Sequence, residues 1–458
     1  MLDPTKATRI QLLDFRTPPM RAFHMSWFAF FLCFFAWFGI TPLMSIVRQE
    51  MHLTHDQVGW CIIGSVTATV LARVLVGWIC DRIGPRLAYT WLLVLGSIPV
   101  MCIGLADSFE TFLLARVAIG VIGASFVITQ YHTSAMFAAN CVGTANATSA
   151  GWGNMGGGAA QVVMPLVFAL FVGVLGFSVS TGWRMSMVVI GAACVVTGIA
   201  YFLLTQDTPE GNVSTLRAAG RMPAGRSAGG SFVAVCKDKR VWALFVVYGA
   251  CFGVELTINS IAALYFLDYF PTFHQQMESS RALWMVGLLA GSFGLMNLFA
   301  RTLGGVFGDK LGQRWGLSGR VKWLFVVVFC EGLALMLFSR MNVLIFAVPS
   351  LVLFSLFVQM SEGATFSVVP FVNRKAPGAV SGIVGAGGNA GAVMAGFLFK
   401  SQAVSWPNSL FLIGAAVTCV SFVSFAVVFS PGEEAAASAA MAEAIGSEYH
   451  PAGDVAAA

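Results

Sequence analysis

Charged residues are scarce in this chain: they make up 10% of its 458 residues, whereas a soluble domain has about 25%. The ten cysteines form no CxxC motif and the six histidines show no metal-ligand spacing, so we expect neither a metal nor another cofactor. The net charge of +5 is spread over short loops, which does not favour nucleic-acid binding. The polar N-terminal stretch lacks the apolar core of a cleavable signal peptide. These absences argue against a soluble enzyme and a nucleic-acid-binding protein.

Apolar residues dominate what is present. Hydrophobic residues make up 57% of the chain and the mean hydropathy is +0.80, values typical of a protein embedded in a lipid bilayer. A spanning helix needs about 20 residues, so there is room for about a dozen. We predict an all-α membrane protein with twelve transmembrane helices, over residues 24–47, 58–79, 87–106, 111–137, 143–175, 184–204, 241–268, 282–308, 320–340, 343–373, 378–400 and 406–430.

The basic residues indicate the orientation of these helices. Six of them fall between positions 217 and 240, and most of the others lie in loops on the same side of the membrane. Cytoplasmic loops are enriched in Lys and Arg, so we predict that both termini are cytoplasmic. We also expect a plasma membrane location, specifically a bacterial inner membrane. The predicted organisation is an N-terminal half at 1–204, a cytoplasmic linker at 205–240, a C-terminal half at 241–430 and a flexible cytoplasmic tail at 431–458.

An internal repeat relates the two halves. The motif GWICDRIGPR at 77–86 resembles GGVFGDKLGQR at 304–314, and the glycine-rich stretch 151–161 resembles 385–395. Two parallel six-helix repeats, related by an axis along the membrane normal, are the arrangement of major facilitator transporters. We therefore predict a major facilitator fold with two pseudo-symmetric six-helix halves.

A single arginine recurs at matching positions of the repeat. Arg73 precedes Asp81 by eight residues and Arg301 precedes Asp309 by the same spacing, which places each arginine about 12 Å from its acidic end. This depth is close to the middle of a hydrocarbon layer about 30 Å thick, where charges are costly and usually functional. Two such charges predict a site for a small anion. Alternatively, each arginine is paired with an intramembrane acid: Glu255, Glu331 or Glu362.

The glycine stretches sharpen this prediction. GNMGGG at 153–158 and GGNAGA at 387–392, together with the two arginine helices, resemble the nitrate/nitrite porter family of the major facilitator superfamily. Residues 31–44 and 362–372 are also similar to that family, and the resemblance extends over residues 20–430. It implies a nitrate transporter. A guanidinium suits this substrate, because its planar fork of donors matches the geometry of an oxyanion.

The resemblance also implies which side chains complete the site. Asn154 and Tyr248 would donate hydrogen bonds to the anion, and Phe126 and Phe252 would hold its flat faces. Because phenylalanine is abundant here, packing is the alternative role for both rings. The remaining implied substrate-site residues are Asn389, Gly151 and Gly388.

Transport of an anion into a cell also needs gates and a driving force. Asp81, Arg82 and Asp309 are expected to form a cytoplasmic gate between the halves. Moving one negative charge against 100 mV costs about 2.3 kcal/mol, so either protons accompany nitrate or another anion leaves. We expect proton symport, with exchange of nitrate for nitrite as the alternative. The candidate proton carriers are Glu255, Glu362, Glu331 and His132.

Other functional classes fit the sequence less well. A nitrate sensor without flux would be expected to carry a soluble signalling domain, and a membrane enzyme would need a catalytic motif. A drug or sugar carrier is compatible with the fold alone, but paired arginines favour an anion. We expect a monomer that lies in the lipid bilayer and binds nitrate and protons. Nitrite is a further candidate substrate, and no nucleic acid is expected as a partner.

Overall fold

The computed structural model describes residues 6–221, 228–270, 289, 291–374, 376–400 and 404–448. The beginning of the predicted helix 282–308, part of the predicted linker and the end of the predicted tail lie outside these residues. Nearly all of the described chain is helical, and it contains no strand of a sheet. Its α-helices are α1 Pro18–Phe38, α2 Met44–Glu50, α3 His55–Ile83, α4 Pro85–Cys102, α5 Phe109–Gly120, α6 Ser125–Met136, α7 Val142–Ala169, α8 Val179–Leu204, α9 Val213–Ala218, α10 Ala228–Lys237, α11 Lys239–Tyr269, α12 Ala300–Phe338, α13 Leu344–Val368, α14 Pro377–Lys400, α15 Trp406–Ser421 and α16 Pro431–Glu448.

Eleven segments of the described chain are long and apolar enough to cross a membrane. One of them, Gly291–Phe338, has 48 residues and would be about 70 Å long as one straight helix, more than twice a hydrocarbon layer. It is broken at Trp315 and Gly316, whose backbone angles are not helical. Two crossings in this segment bring the number to twelve, as the sequence predicted.

The spanning helices direct their apolar side chains outward and their few charges inward. On α3, Leu71 is 73% exposed on the outer face, whereas Arg73 is fully buried. Leu95, Leu166 and Leu203 are likewise more than half exposed. In water such surfaces would be unstable, but in a bilayer they contact lipid tails. The bundle therefore has a lipid-facing exterior and a polar interior between its halves.

Two pairs of helices join the halves near one end of the bundle, which we call the Asp81 face. In the first pair, Gly77 of α3 lies against Gly378 and Gly382 of α14. In the second, Gly305 of α12 lies against Gly143 of α7. At these sites a side-chain carbon would overlap the backbone of the opposite half, so glycine is what lets the helices approach. The two contacts are equivalent under the predicted repeat.

The segment after Pro431 is ordered in a way that the sequence did not predict. We expected a flexible tail, but α16 is a helix that buries Ala437 and Met441 against the Asp81 face. The Glu434 carboxylate accepts hydrogen bonds from the backbone of Leu317 (2.8 Å) and Ser318 (2.9 Å), just after the break in α12. Glu434 thus caps the helix that follows the break.

The same tail helix is attached to α11. The Arg240 guanidinium donates to Glu433 at 3.0 Å. The backbone N–H of Ser430 and then Arg240 hold the pKa of Glu433 below its ordinary value. A lowered carboxylate pKa contributes stability above the ordinary pKa, and this contribution is lost as the pH falls through the lowered value. The attachment of α16 is therefore complete at neutral pH.

Replacing Glu434 with glutamine is expected to loosen α16, because the cap loses its charge. The expected loss in stability is about 1 kcal/mol. The measurement is the rate at which a protease removes the tail from the protein in detergent, and this rate should increase several-fold. Glu443→Gln is the matched control, since Glu443 is exposed on the same helix. Equal cleavage rates in both variants would show that Glu434 does not hold the tail.

Candidate anion-binding site

Arg73 is a buried cation without an acidic partner among the described residues. Its Nη1 donates to the Gly385 carbonyl at 2.6 Å, and its Nε donates to the Gly123 carbonyl at 3.3 Å. Its Nη2 has no hydrogen-bond acceptor, although the side chain is fully buried. A buried donor and a buried charge left in this way are both costly. The arginine therefore provides one free donor and one uncompensated charge for an anion.

Arg301 is equally buried but is engaged by protein groups. One of its terminal nitrogens forms an ion pair with Glu362, and the other donates to the Tyr248 hydroxyl at 2.9 Å. Its Nε has no acceptor. The alternative prediction, in which an intramembrane acid neutralises each arginine, thus describes Arg301 and does not describe Arg73.

Three aromatic rings lie between and beside the arginines. The rings of Phe126 and Phe252 are nearly parallel, with centroids 6.2 Å apart and a tilt of 12°, and Tyr248 is stacked with both. The Arg73 guanidinium lies 5.0 Å from the Phe126 centroid and 4.9 Å from that of Phe252. Arg301 lies 5.5 Å from the Phe126 centroid. One ring therefore contacts both cations, so the predicted residues Phe126, Phe252 and Tyr248 come together with the arginines.

The glycine-rich helices supply the remaining predicted residues. Asn389 of α14 is fully buried, and neither its amide nitrogen nor its amide oxygen has a partner. Gly388 lies against the Phe252 ring, and Gly151 lies against Asn297 and the Arg301 side chain. A side chain at either glycine would displace these neighbours. The two glycines therefore leave room for these neighbours. Having no side chain, they offer only backbone groups.

Asn154 is bonded to an acid and not to either arginine. Its amide nitrogen donates to one carboxyl oxygen of Glu255 at 3.3 Å. Asn297 donates to the other carboxyl oxygen at 2.7 Å. Asn154 belongs to the N-terminal half and Glu255 to the C-terminal half, so this contact bridges the halves. Asn297 was not predicted, because a single amide in an apolar stretch has no distinguishing pattern.

His132, a predicted proton carrier, lies in a separate network of the N-terminal half. Its Nδ1 is 2.5 Å from the Tyr201 hydroxyl, and its Nε2 is 2.8 Å from the Gln206 carbonyl. Since a carbonyl only accepts, Nε2 carries the hydrogen and Nδ1 accepts from Tyr201. The Tyr201 hydroxyl is also bonded to Ser26 at 2.9 Å. These partners fix the ring in place, away from the described contacts of Arg73 and Arg301.

Asp81 and Asp309 occupy equivalent positions at the Asp81 face. The Asp81 carboxylate accepts from the backbone of Gly378 (3.1 Å) and Ala379 (2.9 Å) at the N-terminus of α14. Asp309 accepts from the backbone of Gly143 (3.1 Å) and Thr144 (2.6 Å) at the N-terminus of α7. Each acid therefore caps a helix of the opposite half, where the helix dipole favours a negative charge. Both contacts join the halves, as expected of gate residues.

Arg82 does not make the contact that the sequence predicted for the gate. Its side chain is exposed, and its guanidinium lies 3.5 Å from the Trp78 ring of its own helix. It faces outward because neighbouring helix positions point in different directions, and the inward position belongs to Asp81. Arg217 of α9 instead donates to the Asp81 carbonyl at 2.9 Å. Arg217 lies in the predicted linker, and the sequence analysis used it only to predict orientation. Its hydrogen bond holds the backbone at Asp81.

The contact between the halves at Asp309 also contains an arginine that was not predicted. Arg320 is fully buried and donates to Asp309 at 2.6 Å. Its other terminal nitrogen donates to the Ala139 carbonyl of the N-terminal half at 3.0 Å. Arg320 was counted with the basic loops, because its position eleven residues after Asp309 gives no indication that the chain turns back.

Comparisons with known proteins agree with this architecture. A family model described as Major Facilitator Superfamily matches residues 26–396. The human organic anion transporter MFSD10 (TETRAN) has a similar structure, with a TM-score of 0.61 over 90% of this chain and 100% of that one. Its sequence identity is only 13%, so it supports the fold alone.

Relatives in sequence are more specific. High affinity nitrate transporter 2.5 of Arabidopsis thaliana is 37% identical, over 90% of this chain and 81% of its own length. High-affinity nitrate transporter 2.3 of Oryza sativa subsp. japonica is 39% identical, over 86% and 74% respectively. The nitrate/nitrite transporter NrtP of Picosynechococcus is 28% identical, over 81% and 83%. The chain therefore belongs to the Major Facilitator Superfamily and, within it, to the nitrate/nitrite porter family.

Proposed function

We propose that this multi-pass membrane transporter carries nitrate by alternating access and that proton symport drives nitrate uptake. The protein is a secondary transporter and not an enzyme, in keeping with its family. The observation that carries the choice of substrate is the state of Arg73. This arginine is fully buried, forms no ion pair with an acid among the described residues, and has one terminal nitrogen without an acceptor. A small monovalent anion would satisfy both the charge and the donor.

The surroundings of Arg73 favour a flat anion of delocalised charge. The nearly parallel rings of Phe126 and Phe252 present apolar faces, which exclude water and strengthen electrostatic attraction. The guanidinium can donate two hydrogen bonds in one plane. The unpartnered amide of Asn389 provides another donor. Nitrate, which is planar and weakly hydrated, fits this combination better than a sugar, which needs several neutral polar partners.

Alternating access requires a contact between the halves that can open. The Asp81 face is joined by Asp81 and Asp309 at two helix N-termini. We propose that this face is cytoplasmic and closed in the described conformation. Release of nitrate into the cell would break both caps while the halves rock about the arginines.

Proton symport is the proposed driving force because two acids of the C-terminal half, Glu255 and Glu362, are buried beside Arg301. Each of the two is at most 2% exposed. Exchange of nitrate for nitrite is the alternative, supported by the name of the relative NrtP. His132 takes no part in this proposal, because both its ring nitrogens are engaged in a separate network.

The remaining features of the proposal concern location and assembly. We propose a monomer in a plasma membrane with both termini in the cytoplasm, on the basis of the basic loops. A bacterial inner membrane was our sequence-based expectation, and it stays a prediction. Protons and nitrate are the proposed transported species, nitrite is the exchange substrate of the alternative, and the lipid bilayer is the proposed environment.

The choice of substrate can be tested by uptake of labelled nitrate into proteoliposomes in the presence of competing anions. Nitrite should compete because it is also planar, monovalent and oxygen-bearing. Sulfate and phosphate should not compete at equal concentration, since their charge and tetrahedral shape do not suit two parallel rings. Equal competition by sulfate would overturn the proposed site.

A further inference from the structure

The strongest unexplained feature of the molecule is the presence of two buried carboxyl groups beside Arg301. Glu362 of α13 and Glu255 of α11 are both at most 2% exposed and interact electrostatically with Arg301. One oxygen of Glu362 is paired with Arg301, and the other is buried with no nitrogen or hydroxyl donor. One guanidinium cannot neutralise two buried carboxylates, and an unpaired buried charge is costly, so this arrangement favours one proton on the pair.

These two acids occupy the donors that we assign to nitrate. Arg301 donates to Glu362, and Asn154 donates to Glu255 at 3.3 Å. A guanidinium or amide hydrogen serves one acceptor at a time. The carboxylates therefore act as internal anions that compete with nitrate for Arg301 and Asn154.

We propose that uptake of a proton by the Glu255–Glu362 pair transfers Arg301 and Asn154 from these carboxylates to nitrate, so that nitrate binds tightly only when the pair is fully protonated. This inference rests on the proposed function. The proton arrives from water, becomes bonded to a carboxyl oxygen of the pair and leaves with nitrate at the other side. No other bond forms or breaks, and the charge of the site is the same before and after loading.

The constant charge explains why the two species would move together. Without nitrate, Arg301 is neutralised by Glu362. With nitrate and a proton, the same arginine is neutralised by nitrate. Nitrate alone would compete with Glu362 for Arg301, and a proton alone would leave Arg301 unpaired. In the first state one of the two anions lacks its donor, and in the second a buried unpaired charge is poorly solvated.

Other groups near the pair set the environment for this exchange. Arg73 and Glu331 lie within electrostatic range of Glu362, and the Tyr248 hydroxyl accepts from Arg301. Cys251 of α11 also faces the cluster. Glu331 has no hydrogen bond to Arg301 or Asn154, whose acid partners are Glu362 and Glu255. It acts on the exchange only through its electrostatic interaction with these two acids.

The test is the affinity of the purified protein for nitrate as a function of pH, measured by calorimetry with sodium nitrate. In the wild-type protein, Kd should rise about tenfold per pH unit over the range in which the pair titrates, because one proton binds with each nitrate. In Glu362→Gln the Kd should vary less than about twofold over the same range. Glu50→Gln is the control and should keep the wild-type dependence, because Glu50 pairs with Arg184 and contacts neither Arg301 nor the two acids.

The outcomes separate this inference from the proposed function. No nitrate binding by the wild-type protein at any pH would overturn the proposed function. Nitrate binding with an unchanged pH dependence in Glu362→Gln would overturn only the exchange. If Glu362→Gln is too unstable to assay, Glu255→Gln provides the same test through Asn154. That variant should exchange nitrate for nitrite across the membrane yet fail to accumulate nitrate under a pH gradient, and accumulation at the wild-type rate would contradict the inference.

Discussion

Replacing Arg73 with lysine is expected to reduce nitrate uptake to below about 1% of the wild-type rate. The substitution removes the guanidinium that donates to the Gly385 carbonyl, lies against Phe126 and Phe252, and has one nitrogen free for the proposed anion. A loss of about 3 kcal/mol in the binding of substrate corresponds to roughly a hundredfold. An ammonium keeps a positive charge but is more strongly hydrated and has no planar fork. The measurement is the initial rate of labelled nitrate uptake into proteoliposomes.

A matched control separates loss of the site from loss of the fold. Arg116 is also buried, and it donates to the Trp37 carbonyl at 3.1 Å, away from the anion site. Arg116→Lys should retain most of the uptake if a buried arginine matters only where it contacts substrate. Both variants should elute as monodisperse protein from a sizing column. Wild-type uptake by Arg73→Lys would refute the assignment of Arg73 as an anion ligand.

The second large effect is expected for Asp309→Asn, which should destabilise the protein and open the Asp81 face. The substitution leaves Arg320 without its charged partner and places an amide against the N–H groups of Gly143 and Thr144. Removing one partner of a buried ion pair costs about 3–5 kcal/mol. Thermal unfolding in detergent should therefore occur several degrees earlier, and nitrate uptake should fall at least tenfold.

Opening of the face can be measured separately from stability. Ala147 of α7 lies against Gly305 of α12, so a cysteine at position 147 reports on this contact. In the Asp309→Asn background, Ala147→Cys should react faster with a water-soluble thiol reagent than in the wild-type background. Glu50→Gln is the control, because its pair with Arg184 at the opposite end is partly exposed and contributes only about 0–1 kcal/mol. Equal labelling rates in all three backgrounds would contradict a gating role for Asp309.

Much of the architecture could be predicted because it repeats along the chain. Arg73 and Arg301 have the same spacing to Asp81 and Asp309, and helical geometry converts this spacing into a common depth. The same repeat predicts that the two aspartates share a role. What it does not show is their acceptor function, because each partner is a backbone N–H of the opposite half. Backbone groups have no sequence signal, so these caps appear only once the helices are packed.

The acid cluster illustrates what the sequence could not reveal. Glu255, Glu331 and Glu362 lie on three different helices and have no common spacing. Each could be listed as an intramembrane acid, but which one pairs with Arg301 depends on helix rotation. His132 shows the converse, since a titratable residue in an apolar stretch was a reasonable candidate until its two partners were known. The tail helix α16 was not predicted as an ordered element, because an Ala-rich sequence is compatible with either a helix or disorder. Which of the two forms depends on the surface against which the segment packs.

The most direct test of proton-driven nitrate transport is uptake of nitrate into proteoliposomes under an imposed pH gradient, with either empty or nitrite-loaded interiors. The account predicts uptake into empty vesicles when the outside is acidic, and abolition of that uptake by a protonophore. It also predicts that internal nitrite is not required. Uptake that depends on internal nitrite and ignores the pH gradient would contradict symport, and the carboxyl pair beside Arg301 would then have only a structural role.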